Sequence, residues 1–224
     1  MKGLFVLGTD TGVGKTLVST ALLRTWSTAG RPVAACKPCE TGDGDDAVQL
    51  LGATQRHFDP ALVSPYRFRL PAAPLIAAAH TGQVLDFAVI DAAIAQLARD
   101  AKMILVEGAG GLLVPWTSTA TTAELVSHLG LPVLLVARTG LGTINHTLLT
   151  LEALERRNIT LLGVVLSQTS PVAGEEEGYT VRYLSDRAPV LGVVPWIATT
   201  PLVDRQLECG RFIDTDAIWW RVME

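Results

Sequence analysis

The sequence predicts an α/β fold built on a doubly wound, mostly parallel sheet, and three observations support this prediction. Short, continuously apolar segments alternate with longer segments of helical periodicity, as strands and helices do around a parallel sheet. Of the 224 residues, 49% are hydrophobic and 18% are charged, as expected where strands are buried on both faces. The length suits a single domain spanning residues 1–224, and no repeat or linker divides it.

The alternation places the elements in order along the chain. Strands are predicted at 4–7, 32–37, 103–107, 132–137, 161–166 and 190–194. Helices are predicted from residue 17 onward and at 45–52, 86–100, 121–129, 143–157 and 175–187. The prolines within 64–82 predict a loop that leads into a short helix, and residues 216–224 predict a short helix whose tryptophans pack on the body.

The first predicted strand runs into a glycine-rich turn and a helix that opens on Lys-Thr, in the stretch LFVLGTDTGVGKTLVSTALL. Glycines can point successive N–H groups to one concave side, and such a nest at a helix N-terminus binds phosphate. Lys15 is then expected to reach the outer phosphates and Thr16 to ligate Mg²⁺, as in the template G-x-x-x-x-G-K-[ST]. Thr9 stands at the first glycine of that template, and Gly8 comes one residue early. The stretch predicts a nucleotide site like that of P-loop NTPases.

Polar residues follow three other predicted strands, at the edge where a parallel sheet binds its ligands. The segments are CKPCETGDGDDA, VEGAGG and ARTGLGTINHT. Glu107 ends an apolar strand, and a carboxylate at this place suits Mg²⁺ bound to a nucleotide. Among Asp43, Asp45 and Asp46 the pattern does not select a second ligand, and the run is equally consistent with a solvated loop. We expect carboxylates and lysines, Lys37 among them, to meet on one rim.

Charge and hydropathy exclude several classes of function. The formal net charge is −4 with no basic cluster, which argues against general nucleic-acid binding. No uncharged apolar segment reaches the roughly eighteen residues of a membrane span. The sequence enters its first strand at once, leaving no room for a signal peptide, so we expect a cytoplasmic protein.

The pair C-K-P-C could be a redox site or half of a zinc site. Zinc needs two further ligands, and Cys209 is the other thiol in the chain. A redox pair normally opens a helix, whereas Cys36 and Cys39 follow a strand and enclose a proline. We interpret the spacing of these cysteines as incidental.

Taken together, the chain resembles the dethiobiotin synthetase family. The matching pieces occur in the family's order over nearly the whole chain: GTDTGVGKT, CKPCETG, DDAVQLL, LVEGAGGLLVP, LGTINHTLLT and GVVPWI. The resemblance implies a homodimeric ligase of biotin biosynthesis that converts 7,8-diaminononanoate, CO₂ and ATP to dethiobiotin, ADP and phosphate with Mg²⁺. In that reaction the diamine forms a carbamate, the γ-phosphoryl group moves to the carbamate oxygen, and the second amine closes the ring while phosphate leaves.

The resemblance also implies roles for individual residues. Lys15 and Lys37 are the implied catalytic pair, and the implied metal ligands are Thr16, Asp46 and Glu107. The implied nucleotide-binding residues are Gly12, Val13, Gly14, Lys15, Thr16, Leu17, Asp46, Glu107, Gly108, Ala109, Gly110, Ser167, Gln168, Pro195, Trp196 and Ile197. The implied substrate-binding residues are Thr11, Lys37, Thr41, Gly142, Thr143, Ile144, Asn145 and Tyr179. Tyr179 matches a tyrosine that reaches the substrate from the neighbouring subunit, with a buried core tyrosine as the alternative.

One pair of residues departs from the family pattern. Many members carry Asn-Asp where this chain has Ser167 and Gln168, and the asparagine amide bonds adenine. A serine hydroxyl cannot make the same bidentate contact. We therefore expect the phosphate and substrate sites to be intact and the discrimination between bases to be weak.

Other P-loop functions remain as alternatives. A switch ATPase of the partitioning kind would carry an additional lysine early in the phosphate loop, and residues 8–14 contain none. A corrinoid amidoligase would need a glutaminase domain and a nucleophilic cysteine elbow, and the segment after residue 198 is too short for one. A guanine-specific G-protein would carry Asn-Lys-x-Asp, which does not occur.

Overall fold

The computed structural model describes residues 2–198 and 201–224, and within them the chain forms a central six-stranded sheet and a small two-stranded one. The strands are β1 (Gly3–Gly8), β2 (Val33–Cys36), β3 (Cys39–Thr41), β4 (Tyr66–Phe68), β5 (Met103–Glu107), β6 (Val133–Arg138), β7 (Leu161–Ser167) and β8 (Val190–Val194). The central sheet has the order β2-β5-β1-β6-β7-β8 and is parallel throughout. The small sheet pairs β3 with β4, also in parallel.

Helices connect the strands and cover the sheet. They are α1 (Lys15–Thr28), α2 (Asp46–Ala53), α3 (Pro60–Val63), α4 (Pro74–His80), α5 (Phe87–Leu97), α6 (Thr122–Leu129), α7 (Thr143–Glu155), α8 (Glu177–Ser185), α9 (Leu202–Gly210) and α10 (Thr215–Met223), with a 3-10 turn at Ala98–Asp100. The ends of helix α6 are set by residues at those ends. The Thr121 hydroxyl and the Glu124 carboxylate form a capping box at its start. Gly130 in the left-handed region ends it.

The apolar strands bury residues on both faces of the sheet. In β1, Leu4 and Val6 belong to one hydrophobic core while Phe5 and Leu7 belong to the other, because successive strand side chains point to opposite faces. Helix α10 closes one core through Trp219, whose ring lies 5.5 Å from that of Trp26, centroid to centroid. The neighbouring Trp220 is 57% exposed, so only one of the pair packs as predicted.

The six strands predicted for the central sheet are confirmed to within two residues at either end. The helices predicted between them are confirmed as well, and 64–82 contains the short helix α4. Strands β3 and β4 and helices α3 and α9 were not predicted. The two strands have only three residues each and include charged side chains, so they lack the continuous apolar run of the central strands.

The direction in which strands are added to the sheet reverses at β1. Strands β2 and β5 lie on one side of β1, and β6, β7 and β8 lie on the other. A crevice at such a switch point is the place where open α/β sheets bind ligands. The loops after β1, β2 and β5 therefore share one rim. Nowhere in 2–198 or 201–224 is there a helix of the length and hydropathy required to span a membrane.

Candidate active site

The turn between β1 and α1 forms the predicted phosphate loop. Gly12 and Gly14 have φ values of 73° and 96°, in the left-handed region that favours glycine, and Gly14 is the N-cap of α1. Gly8 explains the departure from the loop template, because a Cβ at this residue would lie 2.7 Å from both Lys15 Nζ and the Asp10 carbonyl oxygen. The early glycine thus provides the space through which the Lys15 side chain runs.

Lys15 folds back along the loop. Its ammonium donates to the Asp10 carbonyl oxygen at 2.8 Å, and 7% of the residue is exposed. Burial, followed by the positive charge of Lys37, lowers the pKa of Lys15 to about 8. An anion bound in the loop would offset both effects, because its negative charge favours the charged form of the lysine.

Lys37 follows β2 and lies between two carboxylates from different elements. Its Nζ is 2.6 Å from Glu107 Oε1 and 2.8 Å from Asp46 Oδ2, and it also donates to the Gly108 carbonyl at 3.4 Å. Asp46 begins α2, and Glu107 ends β5. Of the three acids that the residue pattern left open, the structure brings Asp46, the one that the resemblance implied, together with Lys37 and Glu107.

Thr16 joins the same group of side chains. Its hydroxyl lies 2.9 Å from Asp46 Oδ1 and 3.0 Å from Glu107 Oε1, and it can donate its one proton to either. Glu107 Oε2 is buried and has no hydrogen-bond partner within 2–198 and 201–224. A buried carboxylate oxygen without a partner is costly, and a cation would satisfy it. The three oxygen-bearing residues thus fit a magnesium ion, which prefers carboxylate and hydroxyl ligands.

The charges of this group stabilise one another. Burial alone would lower the pKa of Lys37, but the carboxylates of Glu107 and Asp46 outweigh it and raise that pKa well above its usual range. Burial alone would raise the pKa of Asp46, and here Lys37 and the Thr16 hydroxyl outweigh it and lower the pKa. Lys37 is therefore a cation, and Asp46 an anion, throughout the physiological pH range.

Glu40, which the sequence placed on the rim without a role, connects the small sheet to α2. It is 3% exposed, its Oε1 accepts from the Ala47 N–H at 3.1 Å, and its Oε2 pairs with Arg67 at 2.9 Å. Ala47 is the second residue of α2, directly after Asp46. Glu40 therefore fixes the first turn of the helix that carries Asp46.

A cleft of about 440 Å³ opens above these side chains, and we call it the phosphate-loop cleft. The predicted residues that line it are Thr11, Gly12, Gly14, Lys15, Thr16, Leu17, Lys37, Thr41, Asp46, Ala109 and Gly110. Val13, Glu107 and Gly108 are buried behind the lining. Three further lining residues, Cys39, Gln49 and Arg205, were not predicted. Cys39 stands inside the CKPCETG piece that matches the family, whereas Arg205 lies on α9, a helix that was not predicted.

The other predicted substrate residues line a separate cleft of about 650 Å³, which we call the outer cleft. They are Gly142, Thr143, Ile144, Asn145 and Tyr179. Gly142, with φ 89°, caps α7 and leaves its first N–H groups without a side-chain cap. Tyr179 is 76% exposed, so the alternative of a buried core tyrosine is wrong. The two clefts have no lining residue in common.

The segment expected to recognise the base differs from the other sites, and we call residues 167–168 and 195–197 the base segment. Ser167 is 1% exposed, and its Oγ lies 2.7 Å from the position that a Cβ on Gly14 would take, so it packs beneath the phosphate loop. Gln168 uses both ends of its amide: Oε1 accepts from the Trp196 N–H at 3.3 Å, and Nε2 donates to the Ser170 carbonyl at 2.8 Å. Trp196 is 46% exposed and Ile197 is buried, and both follow β8 directly after Pro195.

The cysteines of C-K-P-C end β2 and begin β3, and both are buried free thiols. Burial raises the pKa of both thiols, so neither is a ready nucleophile or metal ligand at neutral pH. Cys36 Sγ lies 3.9 Å from the Leu62 carbonyl oxygen, which is the environment of a core side chain.

Comparison with known proteins gives consistent results along the chain. A family model described as an AAA domain matches residues 2–201. The chain is 46% identical over 204 residues to the ATP-dependent dethiobiotin synthetase BioD of Anaeromyxobacter dehalogenans strain 2CP-1, covering 88% of this chain and 91% of that protein. It is 37% identical over 209 residues to the ATP-dependent dethiobiotin synthetase BioD 1 of Escherichia coli K12, covering 89% and 93%.

Among solved structures, the MinC:MinD cell division protein complex of Aquifex aeolicus has the same fold. That chain aligns with a TM-score of 0.61 at 14% identity, and the alignment covers 99% of this chain and 96% of the other. Identity this low shows a common architecture and carries no argument about activity.

Proposed function

The chain belongs to the family of ATP-dependent dethiobiotin synthetases, and we propose that it catalyses the synthesis of dethiobiotin from 7,8-diaminononanoate, CO₂ and ATP. The observation that carries this proposal is the group formed by Lys37, Asp46, Glu107 and Thr16 beneath the phosphate loop. A reaction that joins a carbamate to a phosphoryl group must bring two anions together. A buried, permanently charged lysine next to a phosphate loop supplies the required positive charge.

We propose that a magnesium ion is held by Thr16, Asp46 and Glu107. The support is the chemistry of these donors and the buried Glu107 Oε2 that lacks a partner in the described residues. When bound, the ion would supply neutralisation of the negative charge on the outer phosphates. Lys37 contacts the same two carboxylates, which would hold its ammonium close to those phosphates.

In the proposed mechanism the two lysines act on different partners. Lys37 would stabilise the carbamate oxygen and the γ-phosphoryl group as the new O–P bond forms and the bond to ADP breaks. Lys15, which leaves the Asp10 carbonyl when a phosphate enters, would neutralise the oxygen between the β- and γ-phosphates. The second amine then attacks the carbamate carbon, and the C–O bond to phosphate breaks as the ring closes.

We propose that the substrate is bound from two subunits. Thr11, Lys37 and Thr41 line the phosphate-loop cleft, whereas the remaining predicted substrate residues line the outer cleft. A homodimer that faces the outer cleft of one subunit toward the phosphate-loop cleft of the other would unite the two sets. The exposed Tyr179 and the uncapped start of α7, whose N–H groups suit a carboxylate, support this arrangement.

The direct test is nucleotide hydrolysis with Mg²⁺, measured with and without 7,8-diaminononanoate plus bicarbonate. We expect phosphate release to depend on both compounds and dethiobiotin to form in equal amount. A rate of hydrolysis that does not change with the diamine and increases with a macromolecule would overturn the proposal in favour of a switch ATPase.

A further inference from the structure

Arg205 lines the phosphate-loop cleft and has no role in the function proposed above. It lies on α9, and the same cleft is lined by Leu17 of α1 and Gln49 of α2. With Lys15 and Lys37 it is the third positively charged side chain of the lining. An arginine that lines a phosphate-binding cleft can bind phosphate oxygens through charge-assisted hydrogen bonds.

The position of Arg205 is fixed by the packing of its helix. Its sequence neighbour Gln206 is 1% exposed and accepts at 3.3 Å from Arg24, which also donates to the Gly52 carbonyl at 2.7 Å. Arg24 thereby ties α9 to α1 and to the end of α2. Near the other end of α9, a Cβ on Gly210 would lie 2.5 Å from Thr25 Oγ1, so the two helices are in close contact. The cleft is thus bounded by α9 without any movement of the helix.

One donor of Arg205 is unused. Its Nε is buried and makes no hydrogen bond to any residue in 2–198 or 201–224. A buried donor on a charged group costs free energy when it is left without an acceptor. A phosphate oxygen in the cleft would be such an acceptor and would form a charge-assisted hydrogen bond.

The neighbours of Arg205 indicate which phosphate it meets. Lys37 reaches the inner end of the cleft, where it bonds to Gly108 and Glu107. Arg205 lies on α9, which packs on α1, and Leu17 in the first turn of α1 lines the same cleft. Backbone N–H groups of a phosphate loop hold the α- and β-phosphates, and the lysines serve the outer end.

We propose that Arg205 binds the α- or β-phosphate of the nucleotide and that it contributes to the affinity for ATP and ADP alike. This inference rests on the proposed function only in requiring that a nucleotide occupies the phosphate-loop cleft. It does not depend on the identity of the second substrate.

The test is binding of MgATP, MgADP and inorganic tripolyphosphate to the full chain by titration calorimetry, without diamine or bicarbonate. Arg205→Met should lower the binding affinity for all three ligands by roughly ten- to hundredfold, the scale of a lost charge-assisted hydrogen bond. Arg205→Lys should restore part of that loss. Arg211→Met, the matched control, removes one positive charge at an exposed arginine just beyond α9. It should change none of the three affinities by more than twofold.

Each other outcome has a distinct meaning. Equal affinities of the Arg205→Met and unaltered proteins would overturn the inference and leave the proposed function standing. A lower affinity of the Arg205→Met variant for ATP and ADP, with an unchanged affinity for tripolyphosphate, would assign Arg205 to the ribose or base. That result would overturn the phosphate assignment. Absence of nucleotide binding by the unaltered protein would overturn both proposals, whereas tight binding without dethiobiotin synthesis would overturn the proposed function alone. Near-ultraviolet circular dichroism of each variant checks that the fold is retained.

Discussion

The phosphate-loop cleft and the base segment lie at the same edge of one sheet, yet their side chains differ in charge and in how they are bonded. The cleft rests on charged side chains that are buried and bonded to one another, as Lys37, Asp46 and Glu107 are. In the base segment, Ser167 is buried under the loop, and the amide of Gln168 is bonded within the protein at both ends. The amide of Gln168 is thus already bonded at each end, and the hydroxyl of Ser167 lies beneath the phosphate loop.

The phosphate-binding and base-binding halves of a nucleotide site can therefore be specified by separate sets of residues. Phosphate recognition here depends on preorganised charges, which are expensive to bury and therefore need every partner in place. Base recognition needs unpaired donors and acceptors that a wrong base would leave unsatisfied. In this structure Lys37 bonds to Asp46 and Glu107, while Glu107 Oε2 lacks a partner in the described residues. The Gln168 amide, by contrast, is bonded within the protein at both ends.

Removing the charge of Lys37 from the cleft should reduce activity more than any other substitution considered below. Lys37→Met should lower turnover by roughly a hundredfold or more, since one preorganised charge-stabilising donor is lost. Initial rates of dethiobiotin synthesis at saturating substrates measure this. Lys102→Met, at an exposed lysine, is the matched control and should retain full activity. Turnover of the Lys37 variant within threefold of the unaltered protein would remove Lys37 from the mechanism.

The same substitution leaves Glu107 buried without its cation, so loss of folding must be separated from loss of chemistry. The double variant Lys37→Met with Glu107→Gln removes the unpaired charge. We expect it to recover thermal stability, measured by circular dichroism, without recovering turnover.

The pKa of Lys15, lowered to about 8, makes phosphate binding in the cleft dependent on pH. A bound polyphosphate favours the charged lysine and raises that pKa, so binding above pH 8 must take up a proton. The affinity for MgADP should therefore fall as pH rises beyond 8, by up to about tenfold per pH unit. Calorimetry at pH 8.5 in two buffers of different ionisation enthalpy measures the uptake.

Lys15→Arg is the control for this proton, because an arginine stays charged throughout the range. We expect the variant to bind more weakly but with no uptake from residue 15. Equal proton uptake by both proteins would assign the effect to another group.

The base segment should give a smaller effect. We expect CTP or GTP to support dethiobiotin formation with kcat/KM within about tenfold of ATP, since one missing hydrogen bond is worth only roughly 0.5–1.5 kcal/mol. Steady-state kinetics with the three nucleotides decides this. A thousandfold preference for ATP would mean that a main-chain group, or Gln168 after release from Trp196, recognises adenine.

The smallest effect is expected at the cysteines. Cys36→Ser with Cys39→Ser should keep turnover within a few-fold, and elemental analysis of the unaltered protein should find no stoichiometric zinc. One zinc per chain, with activity lost to a zinc-selective chelator, would show that C-K-P-C is a metal site.

Much of this architecture could be predicted because the relevant signals are local in the sequence. Six continuous apolar segments gave the central sheet, and the order of strand ends indicated a common rim for Lys37 and Glu107. Two features were not accessible from the pattern of residues alone, although the family resemblance did imply Asp46. The selection of Asp46 depends on the turn that Glu40 fixes, and Arg205 reaches the cleft only through the packing of α9 on α1. Arg205 and α1 are distant in sequence, and Glu40 and Ala47 are seven residues apart across an irregular turn, so neither contact leaves a periodicity to read.

The contact of Glu40 with the start of α2 has a consequence for heat inactivation. The β3–β4 sheet has only three residues in each strand, so it should open locally at a lower free energy than the six-stranded sheet. Such opening would release Glu40 and with it the first turn of α2, while Lys37 stayed at the end of β2. We expect catalytic activity to be lost some degrees below the global melting temperature and to return on cooling. Amide hydrogen exchange in 39–41 and 66–68 should then be faster than in β1.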